Sequence, residues 1–164
     1  MEYLMFNFFS KKPKVVLSPI IEDTIQRLGT PFGSRTCDAH TDSSDYDYFF
    51  SDGDLSIIID LLKDQNIKYK AKDTYTHAFD ASTHITTTIN NRIYDLVSFR
   101  HAKQIEGMRI ATQLSKAYSE YYPLNNKKIR YFVFTNYFKF GKHNKNINQN
   151  LLDFIIANFP ELML

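Results

Sequence analysis

Two β-prone runs, THITTTI (83–89) and RIYDLVSF (92–99), flank Asn90-Asn91. Asparagine tolerates positive φ better than most non-glycine residues, and the tight two-residue hairpin turn needs positive φ at both central positions. The pair therefore predicts a β-hairpin whose turn sets the register. Ile89 falls against Arg92, and by count Thr86 falls against Asp95. Alternation along the strand puts Asp95 on the face of Ile93 and Val97. A carboxylate on an otherwise apolar face is costly unless it is paired or bound to metal, so this hairpin carries an acid that needs a counter-charge.

The remaining pattern alternates between helix and strand. In PIIEDTIQRLG, residues Ile21, Thr24, Ile25 and Leu28 stand at helical spacing, with Pro19 at the start and Gly29 at the end. Thr30 to Phe32 is a short strand running into Gly33. Asp45 to Phe50 reads as a strand with Asp45, Asp47 and Phe49 on one face and Tyr46, Tyr48 and Phe50 on the other. Leu55, Ile58, Ile59 and Leu62 trace a helix over 54–65 behind an acidic cap region at Asp52 to Asp54. Ile67, Tyr69 and Ala71 alternate with lysines, as in a half-exposed strand. Ile105, Met108, Ala111, Leu114, Tyr118 and Tyr121 predict a long helix stopped by Pro123. Ile129 to Phe140 fits a helix closed by Gly141 by spacing and length, while its aromatic content fits a strand; a last helix is expected from Leu151 to Phe159, with GKHNKNINQN as a solvated turn between them. The expected fold is α+β: a small mixed β-sheet with flanking helices and further helices at the C-terminus.

A chain of 164 residues is about one domain, taken here as 1–164 with a core near 20–99 and a helical part near 100–164. Twenty basic residues against 18 acidic ones leave a net charge of only +2, so no global field marks a nucleic-acid binder. Cys37 is the only cysteine, which excludes an internal disulfide and a thiolate zinc site and fits a reducing, cytoplasmic setting. The apolar part of MEYLMFNFFSKKPK is too short to cross a membrane and its charges follow it, so it reads as a strand or packing arm. Richness in Lys, Asn, Ile, Phe and Tyr suggests an AT-rich genome, that of a phage or a low-GC bacterium, which would place a phage product in the host cytoplasm. The five histidines show no metal-ligand spacing, and Lys103, Arg109 and Lys116 read as a solvated helix face.

The chemistry concentrates in FGSRTCDAHTDSSDYDYFF (32–50). Residues i and i+2 of a strand point the same way about 6.5–7 Å apart, so Asp45 and Asp47 face one site. If the hairpin strand lies beside theirs, Asp95 completes a trio; Asp60, Asp73 and Asp80 compete for that third place. Like charges about 4 Å apart repel by roughly 4 kcal/mol at an effective dielectric near 20. A hard divalent cation, Mg²⁺ or Mn²⁺, relieves that conflict. Upstream, Gly33 lets the backbone approach a phosphate, Ser34 can donate to phosphate oxygens, and Arg35 adds charge. The plain alternative is a solvated strand face at Asp45 and Asp47, with Asp52 and Asp54 as a helix cap.

Gly33-Ser34, ten intervening residues, Asp45-x-Asp47 before an apolar strand and a later Asp95 on a separate strand resemble the nucleotidyltransferase superfamily, the DNA polymerase β-like fold with its minimal MNT-type enzymes. The resemblance covers about Ile20 to Phe99. It implies transfer of a nucleoside monophosphate from an NTP to an acceptor hydroxyl with release of pyrophosphate. In that scheme Asp45 and Asp47 bind two metals, Asp95 binds the catalytic one and helps deprotonate the acceptor, and Gly33 and Ser34 hold the β- and γ-phosphates. The acceptor would be a protein side chain, an RNA or DNA end, or a small molecule. Cys37-Asp38 stands where the family often has a second Gly or small residue. The competing expectation is a silent nucleotide-binding or protein-inhibiting module on the same fold.

Overall fold

A computed structural model describes residues 18–36, 40–73 and 81–119, together with 153, 156 and 157. The element order is α1 (Ser18–Leu28), β1 (Thr30–Phe32), a 3₁₀ turn (Gly33–Thr36), β2 (Tyr46–Ser51), α2 (Asp52–Asp64), β3 (Tyr69–Ala71), β4 (Thr83–Ile89), β5 (Arg92–Phe99) and α3 (Ala102–Ser119). The strands form one mixed sheet in the order β1-β2-β5-β4-β3, with β2 and β5 parallel and every other pair antiparallel. This is the expected α+β class.

The hairpin forms as the Asn-Asn pair requires. Asn90 and Asn91 have φ of 51° and 62°, Ile89 pairs with Arg92, and Thr86 pairs with Asp95. Helix α2 begins with Ser51 as N-cap; its hydroxyl accepts from the Asp54 N–H at 3.2 Å and donates to the Asp54 carboxylate at 2.8 Å. Asp52 accepts from the Ser98 hydroxyl at 2.8 Å, tying the start of α2 to β5. The cap is thus Ser51, and Asp52 and Asp54, expected to form the cap region, lie in the first turn of the helix, where their charge suits its N-terminus.

Alternation along the strands divides the core in two. One face of the sheet sends Phe50, Tyr94, Leu96, Ile85 and Ile89 against Ile21 and Ile25 of α1 and Leu55, Ile58 and Leu62 of α2. The other sends Phe32, Phe49, Val97 and Phe99 against Met108 and Ile105 of α3. Each helix buries one apolar stripe, which is where most of its stability arises. At Gly29 a Cβ would lie 2.6 Å from the Phe50 ring, so the end of α1 approaches β2 as closely as only glycine permits.

Besides the earlier start of α2, two details differ from expectation. β2 starts at Tyr46, leaving Asp45 in the connection just before the strand. β3 is exposed at all three residues rather than half-exposed, because it is an edge strand with no helix packed on it among the described elements. The N-terminal arm, Cys37-Asp38, Asp80 and the segment at 129–140 lie outside the described residues. In the last helix only Asp153, Ile156 and Ala157 are described, and they are helical. Among the described residues no helix is long and apolar enough to cross a membrane.

Candidate functional site

The parallel pairing of β2 with β5 sets Asp47 directly beside Asp95. Partners in register on neighbouring strands point to the same face and sit one strand spacing apart, about 4.7–4.9 Å. Both acids are partly buried, on the α3 side of the sheet but ahead of the apolar patch of Phe49, Val97 and Phe99 that α3 covers. Asp45, one residue before β2, is also partly buried. Asp60 is instead on the exposed surface of α2 near Lys63, and Asp73 follows β3 in exposed chain.

The Gly-Ser turn abuts this pair. β1 runs antiparallel to β2 with Phe32 opposite Asp47, so the next residue, Gly33, turns the chain against the Asp47 side chain. Gly33 has φ of +77°, and a Cβ there would overlap the Asp47 carboxylate oxygen Oδ2. Glycine is required here for both reasons. Thr36 closes the turn by donating its hydroxyl to the Gly33 carbonyl at 2.7 Å, and α3 packs against the turn.

Arg35 turns to the loop ahead of β2. Its Nε and Nη2 donate to the Ser44 carbonyl at 3.0 and 2.7 Å, and its guanidinium lies 3.8 Å from the centroid of the Tyr46 ring. Tyr46 in turn stacks on Tyr94 at 5.2 Å. Arg35 therefore holds the chain that carries Asp45 into β2. A phosphate would have to compete with that carbonyl and that ring for its charge.

Asp95 has the most developed surroundings. Its Oδ1 accepts from the Thr86 hydroxyl at 2.6 Å and from Lys72 Nζ at 2.9 Å, while Oδ2 meets Lys72 Nζ at 3.1 Å and His84 Nε2 at 3.3 Å. His84 Nδ1 is buried with no hydrogen-bond partner among the described residues, so Nε2 is the nitrogen that serves the carboxylate. Burial alone would raise the Asp95 pKa; the hydrogen bonds from His84, Thr86 and Lys72 outweigh it and hold the carboxyl well below the usual carboxylate range. The sign for stability follows. Unfolded Asp titrates near pH 3.9. Asp95 thus adds stability that is present above about pH 4 and lost as pH falls through the lower folded value. The stability gap between wild type and Asp95→Asn, read from urea midpoints between pH 7 and 2.5, should narrow below pH 4; a gap independent of pH would count against these partners.

Sequence reading missed Lys72 and His84. Register from the Asn90-Asn91 turn was enough to find Thr86, and His84, two residues along the same face of β4, was within reach of the same count. Lys72 was not, since it comes from beyond β4, where the Lys72 N–H donates to the His84 carbonyl at 2.8 Å and extends the β3–β4 ladder.

The donors suit a hard divalent ion in kind. Two carboxylates lie in register, and Gly33 leaves open the space that the Asp47 carboxylate occupies. They do not yet form a closed shell. Among the described residues no three of His, Cys, Asp and Glu converge closely enough to hold a metal, and Lys72 sits on both oxygens of Asp95. Compared with protein-family models, curated proteins and solved structures, the chain matches none.

Proposed function

We propose that the chain is a divalent-cation-dependent nucleotidyltransferase that moves a nucleoside monophosphate from an NTP to an acceptor hydroxyl and releases pyrophosphate. One observation carries this reading: Asp47 and Asp95 stand in register on the parallel pair β2 and β5, with the Gly33–Thr36 turn against Asp47. A solvated strand face needs neither that pairing nor a glycine fitted around one of its acids.

In this reading Asp47 and Asp95 would hold Mg²⁺ or Mn²⁺ with substrate oxygens and water completing the shell, since Asp45, ahead of β2, does not converge with them into a three-ligand group. When bound, the cation screens the phosphate charge and lowers the pKa of the acceptor hydroxyl. Ser34 donates its hydroxyl to a phosphate oxygen at the start of the 3₁₀ turn. Arg35 keeps Asp45 and Asp47 in line by fastening the loop at Ser44. With its pKa depressed, Asp95 is a weak proton acceptor by itself, so its part is to hold charge in place beside the acceptor. The acceptor is a protein side chain, a nucleic-acid end or a small molecule.

The test uses one substitution and one label. Ser34→Ala removes a donor to a charged phosphate, worth about 1.5–3 kcal/mol, so calorimetric affinity for NTP with Mg²⁺ should fall by roughly one to two decades. A change under twofold would reduce Gly33-Ser34 to a turn. Wild-type protein incubated with labelled NTPs and host lysate should place label in protein or RNA. The full set of partners on Asp95 favours a second reading, a nucleotide-binding module without turnover; NTP binding with no transferred label would select it.

A further inference from the structure

Lys72 occupies Asp95 in the manner of a cation. Its Nζ lies within 3.1 Å of both carboxylate oxygens, and among the described residues the other groups that face Asp95 are Thr86 and His84 of β4 and the in-register Asp47 of β2. Its backbone is anchored to β4, whereas its side chain is 40 % exposed on the edge of the sheet against 18 % for Asp95. The ammonium can therefore leave into water by side-chain rotation alone, without disturbing the ladder. An ammonium and a hard divalent ion cannot share the same two oxygens, because both need the lone pairs and they repel each other.

Resting on the nucleotidyltransferase reading, we infer that Lys72 is the built-in counter-cation of Asp95, and that a divalent cation binds the site by exchange with it. In the cation-free protein the ammonium offsets the charge that Asp95 places beside Asp47. It also raises the cation concentration needed to load the site, so that loading is favoured when a metal arrives together with a polyphosphate that gives the displaced Lys72 a new anionic partner.

Mn²⁺ alone, titrated into the full chain and followed by its electron paramagnetic resonance signal, tests the exchange. Lys72→Met should bind Mn²⁺ at least tenfold more tightly than wild type, and Lys72→Gln should do the same. Adding Asp47→Asn to Lys72→Met should remove the gain. Thermal unfolding in EDTA checks that each variant folds, and Mn²⁺ should raise the midpoint of Lys72→Met more than that of wild type. Equal or weaker Mn²⁺ binding by both folded Lys72 variants, with wild type still binding, would overturn the exchange and leave the nucleotidyltransferase reading standing. No Mn²⁺ binding by wild type or variants at millimolar concentration would overturn both.

Discussion

Asp95→Asn is expected to lower nucleotidyl transfer by about a thousandfold or more while weakening NTP binding less than tenfold, and Asp47→Asn is expected to abolish metal-dependent NTP binding. The two acids are neighbours in register but differ in surroundings. Asp47 faces the Gly33–Thr36 turn, where the triphosphate would sit; Asp95 faces away from it, toward Thr86, His84 and Lys72. On the proposed nucleotidyltransferase reading, loss of Asp47 would therefore remove ground-state binding, whereas loss of Asp95 would remove charge on the acceptor side, which matters most in the transition state. Substitution by Asn keeps the volume, so a folding defect is separable by thermal unfolding. Single-turnover rates and calorimetric affinities together give the split. Equal losses of affinity in both variants, with no separate loss of rate in Asp95→Asn, would remove the distinct roles assigned to them.

How far the sequence leads depends on whether the information is local. The Asn90-Asn91 turn is local, and its positive φ values carry through to the pairing of Thr86 with Asp95. The amphipathic spacings of Ile21 and Ile25, and of Leu55, Ile58 and Leu62, are local too, and those residues are buried in the helices predicted for them. The parallel pairing of β2 with β5 is not local: α2, β3 and β4 intervene in the chain, and no residue between them states the register. It was reached only as a condition, that the hairpin strand lie beside Asp45 and Asp47. Arg35 shows the converse failure. Read by charge, it belongs beside a phosphate; in the fold, the Ser44 carbonyl and the Tyr46 ring take its guanidinium, because a planar fork with an apolar face is satisfied by both. Lys72 was invisible for a third reason. Its partner lies across an intervening strand, so neither helical nor strand periodicity connects the two.

Gly33→Ala should be the most damaging change of a residue that carries no functional group. Two penalties act at once. Alanine at φ +77° costs about 1–2 kcal/mol relative to glycine. The added methyl would also overlap Asp47 Oδ2, with Asp47 Cγ at 3.0 Å and Cβ at 3.3 Å, so rotating the carboxylate alone does not clear it. Either the turn moves off β2 or Asp47 leaves its rotamer. Both outcomes separate Ser34 from Asp47, and NTP affinity with Mg²⁺ should fall by about a hundredfold or more, the scale set by losing a charge-assisted contact from each. The steric and conformational parts can be separated by a stability cycle. In an Asp47→Ala background the overlap with Oδ2 and Cγ is gone, and Gly33→Ala should then cost the backbone strain and the remaining tight contact with Cβ at 3.3 Å. Additive effects of the two substitutions would mean that Gly33 serves its positive φ alone and that its fit against Asp47 is incidental. A coupling of about 1 kcal/mol or more would show that this glycine is shaped around the acid it faces.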